Sequence, residues 1–179
     1  MYGLTVALAL SLTGQLQILG KPSDKPDVKY DKFDDVTVIS TNLGKIPGDD
    51  GTESRILLIA SHEGKKPYKY KDARVLIVFS RVGENLKWKD DTIHEVRMVC
   101  GDDRIPLWPR LPGDYESKST DTFCVESFSV RMNLKKVKEF LEKKRDWEIK
   151  IDFDDPFVLD AKARKKMLEY VRFLEEGKG

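Results

Sequence analysis

Histidine and cysteine are scarce in this chain: 179 residues contain two of each. Glutamate follows both His62 and His94, but neither histidine begins an H-E-x-x-H motif. No serine nucleophile elbow, phosphate loop or dinucleotide fingerprint is present in the sequence. We therefore predict that the protein is not an enzyme and uses no metal or cofactor. The alternative that stays open is a metal-dependent hydrolase, built on His62, His94 and nearby acidic residues.

An excess of charge of one sign is also missing. Lysine and arginine number 32 and aspartate and glutamate 31, which gives a net charge of +1. This balance gives no strong case for nucleic acid or an anionic membrane as the partner, because both attract proteins through a net positive field. Charged residues nevertheless make up 35% of the chain, so the surface is densely ionised.

Long hydrophobic runs are absent as well. The longest apolar stretch, residues 4–12 (LTVALALSL), is shorter than the roughly 20 residues that span a bilayer. It predicts a signal peptide over residues 1–20, a proline-marked linker over 21–30 and one globular domain over 31–177. The protein would then be secreted or periplasmic. The alternative is a cytoplasmic protein in which residues 1–20 hold the first strand, since Leu4 and Val6 begin an alternating pattern.

The redox state of the two cysteines depends on whether the protein is exported or cytoplasmic. In an oxidising compartment Cys100 and Cys124 can form one disulfide, which would close a loop of about 25 residues and contribute about 3 kcal/mol. In the cytosol they would be thiols that pack as small apolar residues. Both alternatives stay open on the sequence alone.

Strand patterns fill most of the chain. Residues 36–41 are β-branched, whereas residues 55–61 and 74–81 are nearly continuous apolar runs, as in central strands that are covered on both faces. Residues 93–107 predict a hairpin that turns at glycine and aspartate. Residues 106–119 predict a long loop, and residues 123–132 a further strand.

Near the C-terminus, the spacing of apolar residues becomes that of a helix in two segments. Residues 134–145 predict a helix, residues 147–153 and 157–159 two short strands, and residues 161–175 a helix capped by Asp160. The strands mostly lack intervening helices. The sequence therefore predicts an α+β fold, mainly an antiparallel β-sheet or sandwich with two helices in the C-terminal quarter.

Some of these segments form a recognisable layout: residues 30–33 (YDKF) lead into residues 36–41, and Trp88 precedes the hairpin of residues 93–107. A helix, two strands and a helix then close the chain. This layout resembles that of small exported bacterial proteins of unknown function. The resemblance covers most of the chain after the linker. It is structural, so it transfers no site residue, and the chain departs from the family in having no basic residue before its apolar segment.

The strongest candidate for a binding site is the loop of residues 65–71 (KKPYKYK). Its basic and aromatic residues alternate, a pattern that binds polyanions. Its predicted ligand-binding residues are Lys65, Lys66, Tyr68, Lys69, Tyr70 and Lys71. Two functions follow. The first is a non-catalytic exported domain that acts on an unknown protein or envelope partner, and the alternative is a small binding module for an anionic ligand or glycan.

Overall fold

The computed structural model describes residues 25–47, 53–65, 75–85, 96–107, 115–132, 134–143, 147–151 and 156–176. Within these ranges the chain forms ten strands and two helices. The strands are β1 (Asp27–Asp31), β2 (Val36–Gly44), β3 (Glu53–Glu63), β4 (Val75–Gly83), β5 (Val96–Cys100), β6 (Asp103–Leu107), β7 (Tyr115–Ser119), β8 (Cys124–Met132), β9 (Trp147–Ile151) and β10 (Phe157–Leu159). The helices are α1 (Leu134–Leu141) and α2 (Ala161–Glu176).

Six strands form the larger sheet, in the order β1-β2-β3-β4-β8-β7. Each neighbouring pair is antiparallel. The apolar runs in β3 and β4 explain why these strands are central. Leu58 is buried in the main core, whereas Leu57 and Ile59 belong to a second cluster with Val78. Neighbouring strand residues point to opposite faces, so β3 is buried on both sides, as its sequence predicts.

The other four strands form a smaller antiparallel sheet, in the order β10-β9-β5-β6. The predicted hairpin is confirmed as β5 and β6, with Gly101 in the left-handed region at its turn (φ 63°). In β9, Trp147, Ile149 and Ile151 are buried on one face. Residues of both sheets and both helices share the main core, so the predicted α+β fold with mainly antiparallel strands is confirmed.

Helix α2 closes one side of the larger sheet. Asp160 caps it as predicted, since its Oδ1 accepts a hydrogen bond from the Ala163 amide at 2.6 Å. The Tyr170 hydroxyl donates to the Ile39 carbonyl at 2.8 Å, and Lys166 Nζ donates to the Asn42 carbonyl at 3.1 Å. Both acceptors belong to β2, so the helix is bonded directly to the second strand of the sheet.

One ion pair is buried in the larger sheet. Arg81 of β4 and Glu126 of β8 are cross-strand partners, and Arg81 Nη1 lies 3.1 Å from Glu126 Oε1. Only 6% of the arginine side chain and 0% of the glutamate side chain are exposed. Nη1 also donates to the Asn85 carbonyl at 2.7 Å. The guanidinium packs against Gly83, where a Cβ would lie 2.7 Å from Nη1.

The structure corrects the predicted loop of residues 106–119 at both ends. Pro106 lies in β6, which tolerates proline because it is an edge strand. Residues 115–119 form β7, whose polar sequence YESKS carries no strand signal of its own. Strand β1 similarly occupies the end of the segment predicted as linker, residues 21–30. Helix α1 ends at Leu141, earlier than its periodicity predicts.

Neither of the two helices in the described ranges combines the length and apolar composition needed to cross a membrane. The apolar segment of residues 4–12 lies outside these ranges.

Candidate functional site

The turn between β1 and β2 is held by its own aspartates. Asp31 Oδ1 accepts hydrogen bonds from the amides of Phe33, at 2.8 Å, and Asp34, at 3.4 Å. Asp35 ends the turn in the left-handed region (φ 51°), a conformation that aspartate tolerates better than most residues. The backbone of residues 31–35 is therefore fixed by local contacts, although the turn is exposed.

Tyr30 is held beside this turn. Its hydroxyl donates to Asp35 Oδ1 at 2.8 Å. This hydrogen bond to the Asp35 carboxylate is the main cause that raises the pKa of Tyr30 above its ordinary value. Lys65 Nζ lies 5.8 Å from the centre of the tyrosine ring, within cation–π range.

The chain leaving β3 is bonded to the same turn. The Gly64 amide donates to the Asp35 carbonyl at 2.6 Å. Thr37 Oγ1 donates to the Gly64 carbonyl, also at 2.6 Å. These two bonds place Lys65, the first residue of the predicted basic and aromatic loop, beside Tyr30.

The tip of the turn presents an apolar ring to solvent. Phe33 is 87% exposed, and Lys32 Nζ lies 5.1 Å from the centre of its ring. Tyr30 is also exposed, at 39%. We call Tyr30, Lys32, Phe33 and Lys65 the hairpin surface. It joins two aromatic rings to two ammonium groups at a turn of fixed backbone, and Lys65 comes from the chain that leaves β3.

An open cleft of about 470 Å³ adjoins the hairpin surface. Strand register explains its composition, because Lys29 is opposite Val38 and Asp27 is opposite Ser40 across β1 and β2. Opposite residues of paired strands share a face of the sheet. The residues that line the cleft are Lys29, Tyr30, Asp31, Lys32, Phe33, Val38 and Ser40.

Of the predicted ligand-binding residues, the structure places one. Lys65 is exposed and belongs to the hairpin surface. Lys66, Tyr68, Lys69, Tyr70 and Lys71 lie outside the described residues. Their part in a binding site therefore stays a prediction.

Of the predicted metal and disulfide residues, the structure describes His62, Cys100 and Cys124. His62 Nδ1 lies 3.0 Å from the Glu63 carbonyl, and His94 lies outside the described ranges. In the part of the chain that is described, no three His, Cys, Asp or Glu residues form a group able to hold a metal ion. Cys100 is a buried free thiol in β5, and Cys124 is a half-buried free thiol in β8. Cys124 Sγ lies 3.6 Å from the Glu84 carbonyl.

Sequence reasoning missed the central residue of the hairpin surface. Phe33 stands between charged residues in YDKFDD, and its own apolar character does not separate an exposed phenylalanine from a core residue. The aspartates at Asp31, Asp34 and Asp35 are a turn signal, and turns are exposed. That signal would have predicted an exposed ring at Phe33.

Comparisons with known proteins gave no match. No protein-family model matches the chain. No curated protein and no solved structure matches it either. The resemblance to small exported bacterial proteins therefore stays a prediction from the sequence.

Proposed function

We propose that the protein is a non-catalytic exported domain that binds a protein or envelope partner through the hairpin surface. The observation that carries this proposal is the exposure of Phe33, at 87%, on a turn whose backbone is fixed by Asp31. An aromatic side chain loses little conformational entropy on binding and buries a large area, so it makes an efficient anchor. The fixed turn lowers the ordering cost further.

The contacts around Phe33 also favour recognition of a partner. Lys32 and Lys65 each lie near an aromatic ring of the hairpin surface. An apolar centre with charged groups around it matches the usual arrangement of a protein interface. Partner contact would cover the exposed ring while the ammonium groups stayed at the wet rim.

The F33S variant should lose partner binding. We expect a photo-crosslinking amino acid at position 33, in the native host, to join the domain to one discrete partner. With that partner purified, F33S should weaken binding by about 2 kcal/mol or more, because central aromatic anchors carry such energies. Isothermal titration calorimetry measures the difference.

F123S is the matched control. Phe123 is also an exposed phenylalanine, at 44%, but it precedes β8 and lies outside the hairpin surface. We expect F123S to bind the partner as the original chain does. If F33S binds equally well, or if crosslinks arise only from position 123, the hairpin surface is not the contact site and the proposal fails.

Export requires a separate measurement. Intact mass of the protein from its native host should show the loss of about the first 20 residues, as removal of a signal peptide predicts. The same sample, alkylated before and after reduction, reports whether Cys100 and Cys124 are thiols or a disulfide. A full-length mass would contradict export and favour the cytoplasmic alternative, in which residues 1–20 belong to the fold.

A small binding module for an anionic ligand or glycan is the second candidate. The cleft beside the hairpin surface favours it, since Lys29 and Lys32 line the cleft together with the Ser40 hydroxyl. Apolar walls with a few polar groups are typical of small-ligand sites. Lys65, bonded in place beside Tyr30, would extend such a site toward the predicted basic loop.

A further inference from the structure

We infer that the cleft lined by Lys29, Lys32 and Ser40 binds an acidic sugar unit, one that carries a carboxylate as well as hydroxyl groups. This inference rests on the second proposed function, a module for an anionic ligand or glycan, and names its ligand class. The cleft volume of about 470 Å³ is within the range of small-ligand sites.

Ser40 gives the cleft a polar residue. It is 6% exposed and lines the cleft. A serine hydroxyl can both donate and accept a hydrogen bond, so it can pair with a ligand hydroxyl in the cleft.

Lys29 and Lys32 supply positive charge. Lys29 Nζ lies 3.3 Å from Asp27 Oδ2, but both side chains of this pair are about half exposed (56% and 50%). An exposed pair of this kind contributes little free energy, so the lysine can exchange its partner for a ligand carboxylate. Lys32 is exposed at the turn and reaches the same cleft.

Asp31 distinguishes a sugar acid from a phosphate. Its Oδ1 is bonded to the turn amides, and the residue lines the cleft. A carboxylate accepts hydrogen bonds and repels other anions. A sugar acid can present uncharged hydroxyl donors to Asp31 while its carboxylate, several bonds away, meets the lysines. In inorganic phosphate the P–OH donors and the negative charge belong to one small group, so any donor brought to Asp31 brings the charge with it.

Phe33 fits the rest of a sugar ring. It lines the cleft with Val38. The axial C–H groups of a pyranose form an apolar face, and the faces of aromatic rings carry partial negative charge that attracts such hydrogens. Charge, hydroxyl and aromatic groups in one cleft therefore match the three kinds of surface on an acidic sugar.

The test is an NMR titration of the full chain with a tetrasaccharide of alternating glucuronate and N-acetylglucosamine. We expect amide shifts at residues 29–33 and 38–40, and at least tenfold weaker binding for K32E and for S40A. K118E is the matched control, because Lys118 is an exposed lysine on β7, at the opposite edge of the same sheet. It should bind as the original chain does.

Two further ligands separate the outcomes. The same tetrasaccharide with its carboxyl groups reduced to alcohols should bind at least tenfold more weakly, and inorganic phosphate should leave the cleft amides unshifted. Equal binding of the reduced sugar, or cleft shifts with phosphate alone, would overturn the assignment to a sugar acid. If no sugar shifts these amides, the inference fails, while the F33S experiment still decides the proposed partner contact independently.

Discussion

Replacing Glu126 with alanine is expected to lower the free energy of unfolding by about 3–5 kcal/mol, the usual cost of removing one partner of a buried ion pair. The reason is the burial of Arg81, whose side chain is 6% exposed. Without the carboxylate at 3.1 Å, the buried guanidinium would lose this charge-assisted contact. Equilibrium unfolding in urea, followed by tryptophan fluorescence, measures the change.

E148A is the control for this experiment. Glu148 is also a strand glutamate, but it is exposed on β9, so its removal should change stability by about 0.5 kcal/mol or less. The double variant R81M/E126L removes both charges and should be more stable than E126A, because it also removes the cost of keeping the Arg81 charge out of water. An E126A value as small as that of E148A would show that Arg81 is hydrated in solution.

The sequence predicts the central strands well because their signal is local. The apolar runs of β3 and β4 are short and rich in branched side chains, which favours central strands, and both runs became central strands. The edge strands β1 (DVKYD) and β7 (YESKS) lack that signal. Their pairing is decided by the unsatisfied backbone groups of β2 and β8, which no pattern within the edge strand reveals.

The candidate site was less predictable for the same reason. The alternation of lysine and tyrosine led to Lys65, but the bonds that join Gly64 to Asp35 and Thr37 connect segments nearly 30 residues apart. The ion pair of Arg81 and Glu126 is likewise a product of strand register. Local composition predicts elements, whereas contacts between them depend on pairing.

The core should be most sensitive at the pair of Phe79 and Phe128. These residues are cross-strand partners on β4 and β8, with ring centroids 4.9 Å apart and an interplanar angle of 17°. They are 0% and 1% exposed. F128A removes the ring and leaves a cavity in the main core, so we expect a loss of about 3–5 kcal/mol in the free energy of unfolding, measured in urea.

F123A provides the comparison within the same part of the chain. Phe123 lies five positions before Phe128 and is 44% exposed, so its truncation should cost much less than that of Phe128. The conservative variant F128L keeps most of the buried apolar volume and should recover much of the loss. If F128A and F123A were equally stable, the stacked pair would not lie in a packed core. A large loss in the free energy of unfolding for F128A, with a small loss for F123A, would show that the contact between β4 and β8 contributes strongly to stability. This contact lies far along the sheet from the hairpin surface.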